Sequence, residues 1–182
     1  MKITRVIIIH GWADKPNHGW LGWVGQELKK SGVEVIAPAM PNPKVPNLKV
    51  WEETASQAIG KLDEHTALLG HSLGTFTLLR VLEHYPAKER VGKLVLVAGF
   101  VTNGGKSLQS YFSPEPDLRK VKEHVRDIYH IFSDNDLMVK PKKSQELAKQ
   151  LGGEVFEEKG KGHFLNQKNP DFPLVLDIIQ NY

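Results

Sequence analysis

Four consecutive β-branched residues constrain the fold more than any other feature of the sequence. The run Val6–Ile9 has no polar position, which is typical of a strand that is buried on both faces of a sheet. Segments with a helical spacing of apolar residues separate it from further strand-like runs. Those runs cover residues 33–37, 66–69, 93–98, 127–133 and 154–156. The alternation predicts an α/β fold, a three-layer α/β/α sandwich around a mostly parallel sheet of about six strands.

The size and composition of the chain suit one compact unit. Its 182 residues allow a sizeable core and no boundary stands out, so we expect a single domain over residues 1–182. Because cysteine is absent, disulfides, thiolate metal sites and a cysteine nucleophile are excluded. The first apolar run is too short for a signal peptide or a membrane span, and we therefore expect a cytoplasmic protein.

Charge and motifs argue against several other classes of function. The net charge of +3 comes with scattered lysines and not with a dense basic stripe, so we expect no nucleic-acid partner. The sequence contains no H-E-x-x-H motif, and the first strand leads into His10-Gly11-Trp12 and not into a G-x-G-x-x-G loop. We accordingly expect no metal, no cofactor and no membrane association.

The most informative motif is a G-x-S-x-G sequence between a strand and a helix. The segment Gly70-His71-Ser72-Leu73-Gly74 follows an apolar strand and opens a helix-like stretch, which is the setting of a nucleophile elbow. A strained turn there lifts the serine hydroxyl clear of the sheet, and the two glycines avoid collisions between strand and helix. A serine that only caps the helix is the alternative. We predict that Ser72 is the nucleophile.

A serine nucleophile needs a histidine base and an acid that orients the histidine. In such a fold both residues follow the serine along the chain, on loops after later strands. His163 lies in a glycine-rich loop after the last strand, whereas the other histidines beyond the elbow fall in or near helices or strands, so we predict His163 as the base. Asp134 and Asp136 both follow the fifth strand. We favour Asp136 as the acid, and expect the other aspartate to close the turn through nearby backbone amides.

Acyl transfer also requires two backbone donors that hold the oxyanion. We predict the amide of Leu73 and the amide of Trp12, with Gly11 as the alternative to Trp12, and expect His10 to order the loop that carries them. Aromatic and apolar side chains are expected to border the acyl pocket. They are Trp12, Trp20, Phe100, Tyr111, Phe112 and Leu137. For Trp20 and Phe100, packing into the core is the alternative.

These motifs resemble those of the α/β-hydrolase superfamily, and more narrowly the small single-domain serine hydrolases of the retinoblastoma-binding protein 9 family. The likeness spans nearly the whole chain and includes the loop 10–12, the elbow 70–74 and the segments 133–136 and 162–164. Carried over by motif, the resemblance implies Ser72, Asp136 and His163 as a catalytic triad. It also implies a reduced sheet without a large lid. No protein partner follows from it.

The expected function is that of a carboxylesterase-like serine hydrolase that cleaves a small acyl ester through an acyl-enzyme. Its expected partner is a small-molecule acyl substrate, and thioesters, amides and lactones stay open as related bonds. A hydrolase-fold binding module with little turnover is the alternative, because fold alone does not establish turnover. Residues 103–116, within an irregular stretch expected over 99–116, carry no motif of the family and form either a small flap or a loop.

Overall fold

Six strands form one all-parallel sheet in the computed structural model of the chain, which describes residues 1–86, 88–101, 106–165 and 170–182. The spatial order is β2-β1-β3-β4-β5-β6. The strands are β1 (Arg5–Ile9), β2 (Glu34–Ile36), β3 (Thr66–His71), β4 (Val91–Val97), β5 (Val125–Ser133) and β6 (Glu154–Glu158). The α/β prediction is confirmed, and the sheet is parallel throughout.

Helices cover both faces of the sheet. They are α1 (Gly19–Lys30), α2 (Leu48–Ile59), α3 (Leu73–Leu82), α4 (Leu118–Glu123), α5 (Pro141–Leu151) and α6 (Pro173–Asn181). One buried cluster joins α2, α3, α4 and α5 to one face, and a second joins α1 and α6 to the other. Along β1, Ile7 and Ile9 belong to the first cluster, whereas Val6 and Ile8 belong to the second. The β-branched run is therefore buried on both sides, and the three-layer prediction is confirmed. Among the described residues, none of these helices has the length and apolarity that a membrane crossing requires.

The stretch that follows β4 differs from the prediction. Residues 102–105 lie outside the described part of the chain, but Lys106–Phe112 form a 3₁₀ helix where irregular structure is expected. This helix is kinked at Leu108 (φ −128°, ψ 23°), and both Leu108 and Tyr111 pack against the core. Phe112 is buried beside them. The segment is thus anchored by apolar burial, which the sequence pattern does not reveal.

Two buried polar side chains of the sheet bind backbone carbonyls at or near the ends of helices. The Lys93 ammonium on β4, which is fully buried, donates to the carbonyls of Ile178 (2.6 Å) and Ile179 (3.1 Å) near the end of α6. On β5, His130 is also buried, and its Nε2 lies 2.8 Å from the carbonyl oxygen of Gly152. Burial lowers the pKa of His130, because the charged imidazolium loses its hydration there.

The lowered pKa of His130 predicts a loss of stability in acid. The unfolded chain binds a proton near the ordinary pKa of 6.5, while the folded protein resists it. The free energy of unfolding is therefore highest above that pH and falls as the pH drops below it, by up to about 1.4 kcal/mol per pH unit for one such group. We expect His130→Gln, which keeps an N–H for the Gly152 carbonyl, to reduce this slope in urea unfolding between about pH 7 and about pH 5. His84→Gln, at a side chain that is 63% exposed, is the control. A slope equal to that of the parent in the His130 variant would contradict the argument.

Candidate active site

Three loops at the carboxyl edge of the sheet bring distant polar side chains together. Ser72 stands between β3 and α3, Asp136 between β5 and α5, and His163 between β6 and α6. The Ser72 hydroxyl lies 2.9 Å from Nε2 of His163. Nδ1 of His163 lies 2.7 Å from Oδ2 of Asp136. All three residues are more than nine-tenths buried, so the structure joins the predicted nucleophile, base and acid in one continuous hydrogen-bonded chain.

Ser72 has the backbone strain that an elbow requires. Its φ of 52° and ψ of −118° lie in a region that non-glycine residues avoid, at a cost of about 1–3 kcal/mol. Its amide donates to the carbonyl of Val97 on the neighbouring strand (2.9 Å), and its carbonyl accepts from the amide of Thr75 (3.0 Å). The Ser72 side chain makes no capping hydrogen bond to α3, so the helix-cap alternative does not describe it.

Close backbone approaches explain the glycines around the serine. A Cβ at Gly74 would lie 2.2 Å from the carbonyl oxygen of Ile9, and one at Gly70 would lie 2.9 Å from the Thr75 amide nitrogen. Both distances are too short for any side chain, which confirms the reason predicted for the two glycines. At Gly11 a Cβ would lie 3.2 Å from the Cβ of Ser72. The loop after β1 therefore runs directly against the nucleophile.

Asp136 has two roles in the geometry. Its Oδ1 accepts from the amides of Met138 (2.8 Å) and Val139 (2.9 Å), while Oδ2 faces His163. Asp134 is exposed, and its Oδ1 accepts from the amide of Gly160 (2.8 Å). The expectation that the rival aspartate closes its own turn is therefore wrong. Asp136 closes that turn as well as contacting the imidazole, and Asp134 reaches across to the loop that carries His163.

Two short polar side chains that the sequence argument missed hold the histidine loop. The Ser133 hydroxyl accepts from the amide of Lys161 (2.9 Å), and Oδ1 of Asn135 accepts from the amide of Gly162 (2.8 Å). The Ser133 hydroxyl in turn donates to that Asn135 oxygen (2.9 Å). Serine and asparagine commonly bind nearby backbone groups, so their places beside the acid are the signal that could have identified them.

His71 lies beneath the site as a buried neutral ring. Its Nε2 donates to the backbone carbonyl of His163 at 3.1 Å, and the two rings are 5.1 Å apart. Within the described part of the chain, Nδ1 of His71 has no hydrogen-bond partner. Burial, reinforced by the neighbouring His163, lowers the pKa of His71 to about 3. This residue also escaped the sequence argument, because it fills a variable position of the elbow motif.

His10 orders the loop that approaches Ser72, in agreement with its expected role. Its Nε2 accepts from the amide of Met40 at 3.2 Å, so the proton resides on Nδ1, which donates to the carbonyl of Gly11 at 2.9 Å. The ring is almost completely buried, and burial lowers the pKa of His10. Its geometry is that of a neutral structural histidine that joins the loop containing Met40 to the loop after β1.

Two cavities open beside Ser72 and His163. One has a volume of about 260 Å³ and contains both polar and aromatic side chains, among them Asp14, His18 and Trp20. The other has a volume of about 200 Å³. Apart from Ser72 and His163, the wall residues that the structure describes are apolar. They include Leu73, Phe100, Leu108, Phe112 and Val139. Trp12 and Met138 border both cavities.

The pocket prediction is partly wrong. Four of the six residues predicted for the pocket line one or both cavities, namely Trp12, Trp20, Phe100 and Phe112. Tyr111 instead lies in the core, where its hydroxyl is 2.8 Å from the Thr77 hydroxyl and its ring meets Trp51 edge to face. Leu137 lies on neither cavity and is 91% exposed, because the turn closed by Asp136 directs it to solvent.

One predicted oxyanion donor, Leu73, follows Ser72 in the chain, and the other, Trp12, follows the glycine that lies against Ser72. Leu73 is the first residue of α3, so its amide has no partner within the helix. Trp12 follows Gly11 in the loop that contacts Ser72, and its indole nitrogen donates to the carbonyl of Lys44 at 3.0 Å. Both amides stay predictions as donors. Among the described residues no group of three or more His, Cys, Asp or Glu is arranged to hold a metal ion.

Comparison with known proteins identifies the family of the chain. A family model described as serine hydrolase matches residues 6–176. The protein YdeN of Bacillus subtilis, named as a hydrolase, is 32% identical over 98% of this chain and 95% of its own. Serine hydrolase RBBP9 of Rattus norvegicus is 28% identical over 98% of this chain and 95% of its own.

Solved structures agree at the level of the backbone. The crystal structure of the YdeN gene product superimposes with a TM-score of 0.89 and covers 98% of this chain and 97% of that one. Est1E from Butyrivibrio proteoclasticus, at 16% identity, has a TM-score of 0.71 over 98% of this chain and 86% of its own, which shows the fold alone. The chain therefore belongs to the serine hydrolase family and is an α/β-hydrolase enzyme.

Proposed function

We propose that the protein is a carboxylesterase-like hydrolase that cleaves small acyl esters through an acyl-enzyme on Ser72. The observation that carries this proposal is the hydrogen-bonded chain from the Ser72 hydroxyl through His163 to Asp136. A serine hydroxyl is a poor nucleophile at neutral pH unless a base accepts its proton as it attacks. His163 is such a base at hydrogen-bond distance from Ser72, and Asp136 is its carboxylate partner.

The proposed reaction has two matched halves. Ser72 Oγ attacks the acyl carbonyl carbon while its proton moves to Nε2 of His163, and the carbonyl electrons move to the oxygen. The tetrahedral intermediate collapses, the bond to the leaving alcohol breaks, and the alcohol takes the proton from His163. Water then attacks the acyl-enzyme in the same way and releases the acid and free Ser72. Asp136 orients His163 and stabilises the imidazolium formed in each half.

The oxyanion has one candidate donor at the start of α3 and a second in the loop after β1. We assign them to the amides of Leu73 and Trp12, with Gly11 as the alternative to Trp12. The close approach of Gly11 to Ser72 supports this assignment, because it places the loop after β1 beside the attacking oxygen. The N-terminal end of α3 adds a partial positive charge to the same region.

The apolar cavity supports a small acyl group as substrate. Its volume of about 200 Å³ is equivalent to roughly six or seven groups of about 30 Å³, the share of one water-sized group. Its described walls are aromatic and aliphatic, with Ser72 and His163 as their polar side chains. Such walls discriminate weakly between neighbouring acyl lengths, so we expect turnover of several short-chain aryl esters.

Reaction with a fluorophosphonate probe tests the nucleophile. We expect the probe to label the parent protein and to leave Ser72→Ala unlabelled, because phosphonylation requires the activated hydroxyl. Mass spectrometry of the labelled peptide measures the site. Ser31→Ala, at an exposed serine after α1, is the control and should label like the parent. Labelling that survives in Ser72→Ala would remove Ser72 from the mechanism, and an unlabelled parent would favour the binding module.

Replacement of Asp136 and of Asp134 by asparagine should affect kcat very differently. Asp136→Asn keeps an oxygen for the Met138 and Val139 amides but removes the charge beside His163. We therefore expect kcat on an aryl ester to fall about 10³-fold to 10⁴-fold in this variant. For His163→Ala, which removes the base itself, we expect a loss of at least about 10³-fold. Asp134→Asn keeps the acceptor for the Gly160 amide, and we expect less than about a tenfold loss. Steady-state kinetics of the matched pair measures both. Equal losses in the two Asn variants would refute Asp136 as the acid.

His71 is predicted to be a positioning residue for His163. It holds the carbonyl of His163 through Nε2, and its neutrality avoids a second positive charge beside the imidazolium. We expect His71→Leu to lower kcat up to about 10²-fold with little change in KM, because the base shifts while the wall of the smaller cavity, which His71 does not line, remains. His71→Gln retains a neutral N–H donor and should restore much of the rate. If both variants lost kcat equally while folded, the hydrogen bond would have no positioning role.

A further inference from the structure

The two cavities at Ser72 differ in the ionisable side chains of their described walls, and this difference extends the proposed function to the leaving group. The larger cavity contains Asp14 and His18, whose side chains are 19% and 33% exposed and are joined by a hydrogen bond of 2.6 Å between Oδ1 and Nδ1. Among the described residues, the wall of the smaller cavity has no ionisable side chain apart from the base, His163. A substrate that spans Ser72 therefore meets polar groups on one side and apolar groups on the other.

The position of each cavity relative to the reacting groups assigns the two halves of the substrate. Leu73, whose amide is a predicted oxyanion donor, lines only the apolar cavity. Phe164 and Leu165, which follow the base, line only the polar cavity. The acyl group stays bonded to Ser72 beside the oxyanion donors, whereas the departing alcohol must receive its proton from His163. The acyl chain accordingly fits the apolar cavity and the leaving group fits the polar one.

The Asp14–His18 pair presents hydrogen-bond acceptors to that leaving group. Within the described residues, Oδ1 of Asp14 receives the bonds from His18 and from the amide of Lys15 (2.9 Å), which leaves Oδ2 with its capacity to accept. Because Nδ1 of His18 is engaged by Asp14, Nε2 of the ring is left for a hydrogen bond with the substrate. The Asp14 charge also acts toward the interior of the site, where it raises the pKa values of His10 and His71 against the larger effect of burial.

We propose that Asp14 and His18 form a subsite for the hydroxyl groups of a polar leaving group. The preferred substrates are then esters of short aliphatic acids with a hydroxylated alcohol. A site built to bind hydroxyl groups discriminates against the analogue that lacks them, because acceptors that the bound substrate shields from water are left unpaired. This inference rests on the proposed function and adds the class of alcohol to it.

Two esters with the same acyl group test the proposal. Glycerol monobutyrate and propyl butyrate differ only in the two hydroxyl groups of the alcohol, and release of butyric acid from each can be followed in a pH-stat. We expect the parent to favour the glycerol ester by at least about tenfold in kcat/KM, and Asp14→Ala to reduce this ratio by at least about fivefold. Asp14→Asn retains an oxygen for the Lys15 amide and should reduce the ratio as well, because a neutral amide accepts more weakly than a carboxylate.

Two controls separate the subsite from general damage. Phe112→Ala, in the wall of the apolar cavity, should change the preference for butyrate over acetate while the glycerol-to-propyl ratio stays near that of the parent. Asp177→Asn, at an exposed position on α6, should leave both preferences unchanged. An unchanged glycerol-to-propyl ratio in both Asp14 variants, or an equal loss on both esters, would overturn the proposal.

The outcome also distinguishes the proposal from the function on which it rests. If Asp14 variants altered the acyl preference and not the alcohol preference, the two halves of the substrate would be reversed and the proposal would be wrong. A parent that hydrolyses propyl butyrate and aryl esters without favouring the glycerol ester refutes the subsite alone. A parent that neither reacts with fluorophosphonate nor turns over any ester refutes the serine hydrolysis itself.

Discussion

The geometry of the site depends on one strained residue, Ser72, whose backbone is held at a positive φ. This backbone conformation costs a serine about 1–3 kcal/mol, so it persists only when surrounding contacts hold it. The sheet and α3 hold it, because the Ser72 amide bonds to Val97 on β4 and the Ser72 carbonyl bonds to Thr75. Gly74 then lets α3 approach the end of β1. The same contact that fixes the nucleophile therefore brings the loop with the predicted oxyanion donor beside it.

The acid and the base are positioned as one unit by backbone amides. Asp136 fixes its own turn through two amides, and the side chains of Ser133 and Asn135 bind the loop that leads to His163. Asp134 adds a further bond to Gly160 in the same loop. The four side chains of residues 133–136, at the end of β5, thus contact either the imidazole of His163 or the backbone of the loop that carries it. Precise placement of His163 results from this short polar segment, although the residue itself lies outside any helix or strand.

The parts of the molecule that rest on local signals could be predicted from the sequence. The buried run of β1, the glycine spacing around Ser72 and the glycine-rich loop of His163 are each readable within a few residues. Side chains whose surroundings come from distant segments could not be placed in this way. Tyr111 has the residue type of a pocket wall, yet Thr77 and Trp51, far away in the chain, hold it in the core. Wall residues such as Met138 and Leu165 follow no periodicity, because loop backbone alone directs them to the cavities.

Burial also decides which histidine can act as the base. Among the described residues, His10 and His71 are buried without a carboxylate hydrogen-bond partner, and burial lowers both of their pKa values. Each binds a backbone group, Gly11 in one case and His163 in the other. His163 instead meets the carboxylate of Asp136, so in the proposed mechanism a proton taken from Ser72 forms an ion pair with Asp136. A positive charge on His71, with its ring 5.1 Å from that of His163, would oppose this transfer. A neutral His71 beside His163 therefore favours the ion pair that the proposed chemistry forms.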